Sequence, residues 1–558
     1  MSGERDKTTE VDLNHLYFKE ELSANNLTVF NEKSSPSSSS STSLRQLEGE
    51  VNMEDGRIDK KSSSSSGEDM GGKYRWWEFE GNTDAQAMIL DQIGTAPIVG
   101  GFFLLTVAIL DIVEDEVGCG DLDDEMECEG TAWGLKPSSV MTTCLGLTGI
   151  IGSLLMPIFG AITDYTTHRR KFGYASAVII ALCVAVQCSI SHDTWELCAV
   201  AQMVSWMFYV DTNICFLKII YFGTCVKMLQ VILVTFFFHG SVRLAYMPSV
   251  TDDKDVLVDI VAKVDATKYS TNLFYLMFVL VMCTILSLDN IETARLGLIT
   301  TFFTWSIFMH LAWTKFRDVP ALQEKEIGVS YLSAGFKKLS RTRHEVFVYN
   351  RPLMWIFIMC MIGNSCIASF VTVGSTISVD YMDFDSLYVL LANTMFTISA
   401  VPGSLLGKYV SSKKNVLYSI RFFLVWVFLT SIVFYATVTG SDSIAEFYIY
   451  ILLFGMGSGG YYASETALVS MLVPLDKEAE LMGTYVFCTR IFIWIPPTIY
   501  TILNERGVPV KTIVIVIESL ALLALVMTLG IGNYQNALDA AEKHKNKREV
   551  VADSNGDQ

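Results

Sequence analysis

Apolar residues in this chain come in runs of about twenty, separated by short polar stretches, and about twenty residues is the length a helix needs to cross the hydrocarbon of a bilayer. Such runs lie near residues 92–112, 140–162, 172–190, within 195–250, 269–288 and 294–313, then near 352–371, 388–407, 416–436, 446–470, 482–503 and 512–532. A long polar link, 314–351, divides them six and six. The pattern predicts an all-α membrane protein with 12 transmembrane helices in two six-helix halves, 76–313 and 352–533, and a tail from 534 to 558. Residues 1–75 lack apolar periodicity and hold the serine runs Ser37 to Ser41 and Ser62 to Ser66. That composition cannot offset the entropy of ordering, so a disordered cytoplasmic tail is expected. No basic stretch leading into an apolar core and a small-residue cleavage site opens the chain, so the first span itself is expected to direct insertion.

The segment from Trp195 to Val250 is long enough for two helices, and its span count sets the sidedness of everything after it. Lys and Arg collect on the cytoplasmic side of membrane proteins. With one span here, the loops on the side of the N-terminal tail (163–171, 314–351, 408–415 and 473–481) carry 3, 8, 3 and 1 Lys plus Arg, and the opposite loops carry only Lys136, Arg506 and Lys511. Two spans would move the basic link and the run Lys543 to Arg548 outside. One span is expected, with both termini and the link cytoplasmic. Removing Val204 to Gln230, 27 residues that preserve a reading frame, joins Leu197–Met203 to Val231–Pro248 as a single well-formed span. A retained intron and a genuine re-entrant insertion both account for 204–230, and both readings stay open.

Composition agrees with the pattern. The chain is 51% hydrophobic and 18% charged, with mean hydropathy +0.38, where a soluble domain carries about a quarter charged residues. An ordinary soluble enzyme is excluded. The net charge of -18 suggests a basic partner until it is located: residues 1–92 carry -8, residues 111–139 carry -9, and everything else carries -1. The acidity belongs to one tail and one loop, and no stretch is basic enough for nucleic acid. No zinc spacing, phosphate-binding loop or nucleophile elbow is present, so no metal, cofactor or catalytic set is expected. Gly455-Met-Gly457-Ser-Gly459-Gly460 has the glycines of a dinucleotide loop but sits inside an apolar span with no strand before it. Close helix approach is the expected use of those glycines.

After the second span the chain reads Gly160-Ala-Ile-Thr-Asp164-Tyr-Thr-Thr-His168-Arg169-Arg170-Lys171, which resembles the cytoplasmic motif of the major facilitator superfamily, G-x-x-x-D followed by a basic cluster. An acid at a helix end that pairs with nearby bases in one conformation and releases them in another makes a charge latch. A plain positive-inside stop signal accounts for the bases but for neither Gly160 nor Asp164. The equivalent place in the second half, Pro402-Gly403 through Gly407-Lys408 to Ser411 and Lys413-Lys414, keeps glycine and bases but has Ser411 for the acid. A second copy at the same relative position supports two halves related by duplication.

Around the eleventh run stand Leu472-Val473-Pro474, then Glu478-Ala479-Glu480, Gly483, Tyr485, Arg490, Trp494 and Pro497. This stretch resembles the autophagy-related vacuolar amino-acid effluxer family and its bacterial relatives within the major facilitator superfamily. Looser matches are Trp76 to Asn82, Ala245-Tyr246-Met247-Pro248 and Val401-Pro402-Gly403, so the resemblance covers about residues 76–535. It implies a major facilitator fold, vacuolar or other endomembrane location, and amino-acid export to the cytosol. One departure bears on the solute: where relatives carry G-G-x-Q-x-x-S-R in the tenth span, this chain has Gly459-Gly460-Tyr461-Tyr462-Ala463-Ser464-Glu465-Thr466.

Charges within hydrocarbon are costly and usually face a cavity or a partner. The candidates are Asp91, Arg243, Glu465, Arg490 and Glu518, and the resemblance implies that those on the first, fourth and tenth helices line the central path. A zwitterionic amino acid needs an anion and a cation, which Arg243 with Asp91 or Glu465 supplies. An Arg–acid pair that merely locks helices fits the same residues. Glu518, on a helix peripheral to the path, is expected to pack with Arg490. Asn364, Tyr461 and Tyr462 are candidate solute contacts; Trp494 reads as aromatic core. Cys119 and Cys128 flank the acids Asp121 to Glu127 in the loop after the first span, and in an oxidising lumen they are expected to close a small disulfide loop.

The expected function is secondary transport of a small polar solute by alternating access, most plausibly amino-acid efflux from vacuole to cytosol, by a monomer in the lipid bilayer with protons as the candidate coupling ion. Two rivals stay open: a facilitator carrier for a metal or organic ion, and a non-transporting membrane receptor or scaffold that recruits partners through its serine-rich tail.

Overall fold

The computed structural model describes residues 82–119, 130–210, 254–318, 331–472 and 478–539. Arg243, Cys128, Pro474, the N-terminal tail, residues 540–558 and most of 204–230 lie outside the described residues. The N-terminal half contains α1 (Thr83–Glu116), α2 (Pro137–Tyr165), α3 (Arg169–Gln187), α4 (Trp195–Val210), α5 (Lys254–Leu286) and α6 (Asn290–Lys315). A helix of the link follows, α7 (Tyr331–Tyr349). The C-terminal half contains α8 (Arg351–Thr372), α9 (Gly374–Asp380), α10 (Ser386–Lys413), α11 (Val416–Thr437), α12 (Ile444–Leu472), α13 (Glu478–Arg490), α14 (Ile495–Asn504) and α15 (Val510–Leu529). Among the described residues there is no strand, only an isolated bridge between Ala132 and Leu135.

Short polar side chains set several of the helix starts. Asn82, Asp289, Asn350, Asp385 and Asn415 each accept a hydrogen bond from the backbone N–H three residues on, at 2.7–3.2 Å, satisfying a donor that the first turn leaves free. Among the described residues, ten helical stretches are long and apolar enough to cross a membrane. α12 has the length, at 29 residues, but its glycines, serines and tyrosines dilute its hydropathy. Large apolar side chains such as Leu182, Phe274 and Ile285 stand exposed on the outer faces, where lipid is the solvent that accommodates them.

Thr83 begins α1 at what we call the near end of the bundle, and Glu116 closes it at the far end. α4 starts at the far end, where Trp195 donates to Glu116, and α5 at the near end. Each half has its own apolar core, one running through α1 to α6 and the other through α8 to α15, the second also taking Phe103 and Val107 of α1. In the second core, α10 and α12 touch backbone to backbone. A Cβ on Gly403 would lie 2.1 Å from the Met456 carbonyl oxygen, and one on Gly459 would lie 2.1 Å from that of Ala400. The glycines of the tenth span therefore serve close packing.

Span seven is a single helix over its expected length, α8, and runs on past Val373 into the short α9, whereas span eleven, expected as a single helix, is broken. α8 gives way to α9 at Val373. Span eleven gives way over residues 491–494, ahead of Pro496 and Pro497, which have no N–H to continue the ladder. The freed Ile491 carbonyl accepts from Ser153 Oγ of α2 at 2.7 Å, and the Phe492 carbonyl, bonded by the Ile495 N–H at 3.0 Å, also accepts from Ser365 Oγ of α8 at 2.6 Å. Irregular backbone at membrane depth survives only with such substitutes.

The halves meet through α2 on α14 and α5 on α10, contacts that exchange when span n is mapped onto span n+6. Along α2, Ser138, Ser139, Thr142, Gly146, Gly149 and Ser153 form a small-residue stripe. Asn504 Nδ2 donates to Ser138 Oγ at 2.9 Å and Ser139 Oγ at 3.0 Å, and Thr142 and Thr501 share a hydrogen bond at 2.8 Å. Gly149 lies against Trp494, whose Cβ would be 2.3 Å from an added methyl. The stripe runs from the far end to mid-membrane and seals that side between the halves.

At the near end, Asp84 of α1 is buried and bound by Arg317, just past α6: the backbone N–H at 3.0 Å, Nε at 2.9 Å and Nη2 at 2.8 Å. Arg317→Ala strips the cation and two donors from a buried carboxylate, so it is expected to cost about 2 kcal/mol of stability. Denaturant melts of the purified protein in detergent check this; an unchanged midpoint would contradict it.

Candidate functional site

Three spans of the C-terminal half converge on one carboxyl. Glu465, on α12, is fully buried. Asn364 of α8 donates through Nδ2 to Glu465 Oε1 and to the Cys360 carbonyl at 3.0 Å. Glu465 Oε2 is buried with no hydrogen-bond partner among the described residues. The Cys360 thiol and the Arg490 guanidinium are the polar neighbours that act on Glu465. Arg490 is exposed at the last residue of α13, where span eleven breaks.

Two tyrosines complete the site. Tyr461 is buried with its hydroxyl toward Met359 Sδ, 3.5 Å away. Gly363 makes room for it, since a Cβ there would lie 2.3 Å from the tyrosine oxygen. Tyr462 stands edge-on to Tyr461 with ring centroids 5.8 Å apart, exposed, and within the field of both Glu465 and Arg490. An acid with one oxygen spare, a nearby exposed cation and an exposed phenol can take a small solute bearing both signs of charge.

Asn364, Tyr461, Tyr462 and Glu465 are thus brought together, and Arg490 joins them. Arg490 does not pair with Glu518, which takes Tyr450 and Thr430 instead. The reason is the break: it ends α13 at Arg490, on the side of α12 that carries Glu465. Asp91 is fully buried on α1, beside buried Gln92 and Thr95. Gln92 Oε1 and Thr95 Oγ1 have no hydrogen-bond partner among the described residues. These two were missed from the sequence, although Thr95 follows Asp91 by one helical turn and so shares its face.

Gly160 and Asp164 fall in the last turns of α2, and Arg169, buried, opens α3. Arg170 holds the end of α6: Nε donates to the Trp313 carbonyl at 3.0 Å, Nη2 to that of Thr314 at 2.9 Å, and Asp318 lies 4.0 Å away. A cation on C-terminal carbonyls satisfies them and the helix dipole. Of the stretch around span eleven, Glu478, Glu480 and Gly483 lie in α13, Tyr485 is half-buried, Trp494 caps α14 and Pro497 is buried. Cys119 is disulfide-bonded, and no other described cysteine is in a disulfide.

A bundle of this kind, two helical halves around a buried polar site with a broken span beside it, is a membrane transporter of the major facilitator type. The fold is that of a mutant of the nucleoside transporter NupG, at TM-score 0.51 and 12% identity over 81% of this chain and 100% of that one. It is also that of the xylose transporter XylE from E. coli in an inward-open conformation, at 0.50 and 12% over 81% and 98%, and of a bacterial homologue of the iron transporter ferroportin in an inward-facing state, at 0.50 and 12% over 81% and 99%. No curated protein matches the chain. Residues 261–541 match the family described as vacuole effluxer Atg22 like, and the chain belongs to that family.

Proposed function

We propose that the protein exports amino acids from the vacuole lumen to the cytosol by alternating access, with Glu465 and Arg490 receiving the solute's ammonium and carboxylate. The observation that carries the reading is the spare, buried Glu465 oxygen within the field of Arg490. An ammonium bound there gains a charge-assisted hydrogen bond that a neutral solute cannot make. Family membership supports the solute class and the organelle. The basic loops support placing the near end in the cytosol, and the seal of α2 against α14 then closes the lumen side, leaving the site to open toward the cytosol. A carboxyl in low dielectric changes its proton affinity when an ammonium arrives, which supports protons as the coupled ion. Cys119 closes a lumenal loop, with Cys128 the expected partner; Gly130 packs against Val117 where that loop returns.

The test is flux of a panel of labelled amino acids through purified protein in liposomes, with and without a pH gradient. The expected result is saturable flux of at least one amino acid that responds to the gradient. Flux of none of them, with nucleosides, sugars and metal ions run in parallel, would overturn the reading.

A further inference from the structure

A second buried carboxyl lies away from the central site, and nothing in the transport reading uses it. Glu518 of α15 is 1% exposed. Tyr450 of α12 donates to its Oε1 at 2.6 Å, and Thr430 Oγ1 of α11 lies 3.3 Å from its Oε2. Thr430 has one hydroxyl hydrogen to serve both Glu518 Oε2 and the Val427 carbonyl, and the carbonyl is the nearer, at 2.6 Å. Oε2 is therefore at best weakly served by Thr430, and the Thr430 oxygen can equally accept a hydrogen from Glu518. The titratable groups facing Glu518 are Tyr450 and, from α8, Cys366; it makes no ion pair among the described residues. The cation held by α15, Arg421, binds Thr528, almost three helical turns along from Glu518. An ionised carboxylate with one full donor and no counter-charge is costly in this setting, whereas a carboxylic acid fits both contacts.

The carboxyl also borders the end of span seven. A cavity of about 20 Å³ lies between Glu518 and Tyr450 on one side and Ser369, Val373 and Gly374 on the other, above the roughly 10–15 Å³ that one water needs. Phe370 and Phe434 also line it. Its lining is mainly apolar, and its polar side chains are Glu518, Tyr450 and Ser369, so one water held by these three would link the Glu518 carboxyl to the point where α8 gives way to α9.

We propose that Glu518 is a second proton-binding site, distinct from Glu465, built by α11, α12 and α15 and exchanging its proton through the cavity at the junction of α8 and α9. Proton occupancy holds Tyr450 and Thr430 together across the acid; loss of the proton puts an uncompensated charge beside the junction and favours the rearrangement that brings water to it.

Infrared spectroscopy of the purified protein in liposomes tests this without knowledge of the solute, so its outcome is independent of the amino-acid reading. At neutral pH the wild-type minus Glu518→Gln difference is expected to contain the C=O band of a protonated carboxylic acid. Tyr450→Phe, which keeps Glu518 but removes its donor, is expected to move that band to higher frequency. Ser369→Leu, which fills the cavity, is expected to slow the band's shift on transfer to heavy water by about tenfold. A difference spectrum that shows carboxylate bands instead would overturn the proposal. If Glu518→Gln does not fold, an unmoved band in Tyr450→Phe overturns it equally. Loss of the acid band in Glu465→Gln alone would mean that only the central site carries a proton.

Discussion

Glu465→Ala, reconstituted in liposomes, is expected to lower amino-acid flux about 100-fold, which is ~3 kcal/mol at 1.4 kcal/mol per factor of ten. That size is what removing one member of a desolvated charge pair costs. Glu465→Gln separates two contributions. The amide keeps an oxygen for Asn364 Nδ2, so the local hydrogen bond and the fold survive, while the charge and the titratable proton go. Glu465→Gln should therefore melt close to wild type but carry little flux, and what remains should not respond to a pH gradient. Asn364→Ala is expected to act in the opposite sense, sparing the charge but removing the amide donor from Oε1. If Glu465→Gln transports normally, the solute is held by other residues, with the α1 face of Asp91, Gln92 and Thr95 the next to examine.

The second large effect is on folding. Gly403→Val and Gly459→Val each place a branched side chain where even a methyl would sit 2.1 Å from a backbone carbonyl oxygen. A flexible neighbour could turn away, but a carbonyl within a helix cannot move without its helix. Overpacking usually costs about 1–3 kcal/mol, and with backbone on both sides the cost here is expected at or above the top of that range. The variants should fail to accumulate as monodisperse protein, or melt well below wild type, in size-exclusion and thermal assays in detergent. Leu405→Ala, on the exposed side of the same helix, is the control and should change little. Equal behaviour of Gly403→Val and Leu405→Ala would show that α10 and α12 do not pack backbone to backbone.

Much of this was readable because the bilayer acts directly on sequence. Span length is fixed by hydrocarbon thickness, and caps such as Asn82, Asp289, Asn350, Asp385 and Asn415 stand immediately ahead of their helices. The glycine run Gly455 to Gly460 also had a mechanism that pointed to packing. What hydropathy does not carry is rotation about the helix axis. Arg490 and Glu518 looked like partners because each was a charge in a late span, yet the bend ahead of Pro496 and Pro497 brings Arg490 to Glu465. The bend between α8 and α9 has no proline to announce it; Val373 bends among its neighbours, including the space under Glu518. The α2 stripe from Ser138 to Ser153 was spelled out at helical spacing, but Ser, Thr and Gly read as mildly apolar filler in a span, and only the facing helix gives them meaning.

That stripe governs how readily the halves part. Its bonds are hydroxyl to hydroxyl, amide to hydroxyl and hydroxyl to carbonyl, and a water molecule can replace each with a bond of nearly equal strength. A seal of interdigitated leucines would have to expose oil to water all at once. This one can unfasten rung by rung, each rung re-hydrated as it opens, so the step from one face of the membrane to the other need climb no single high barrier.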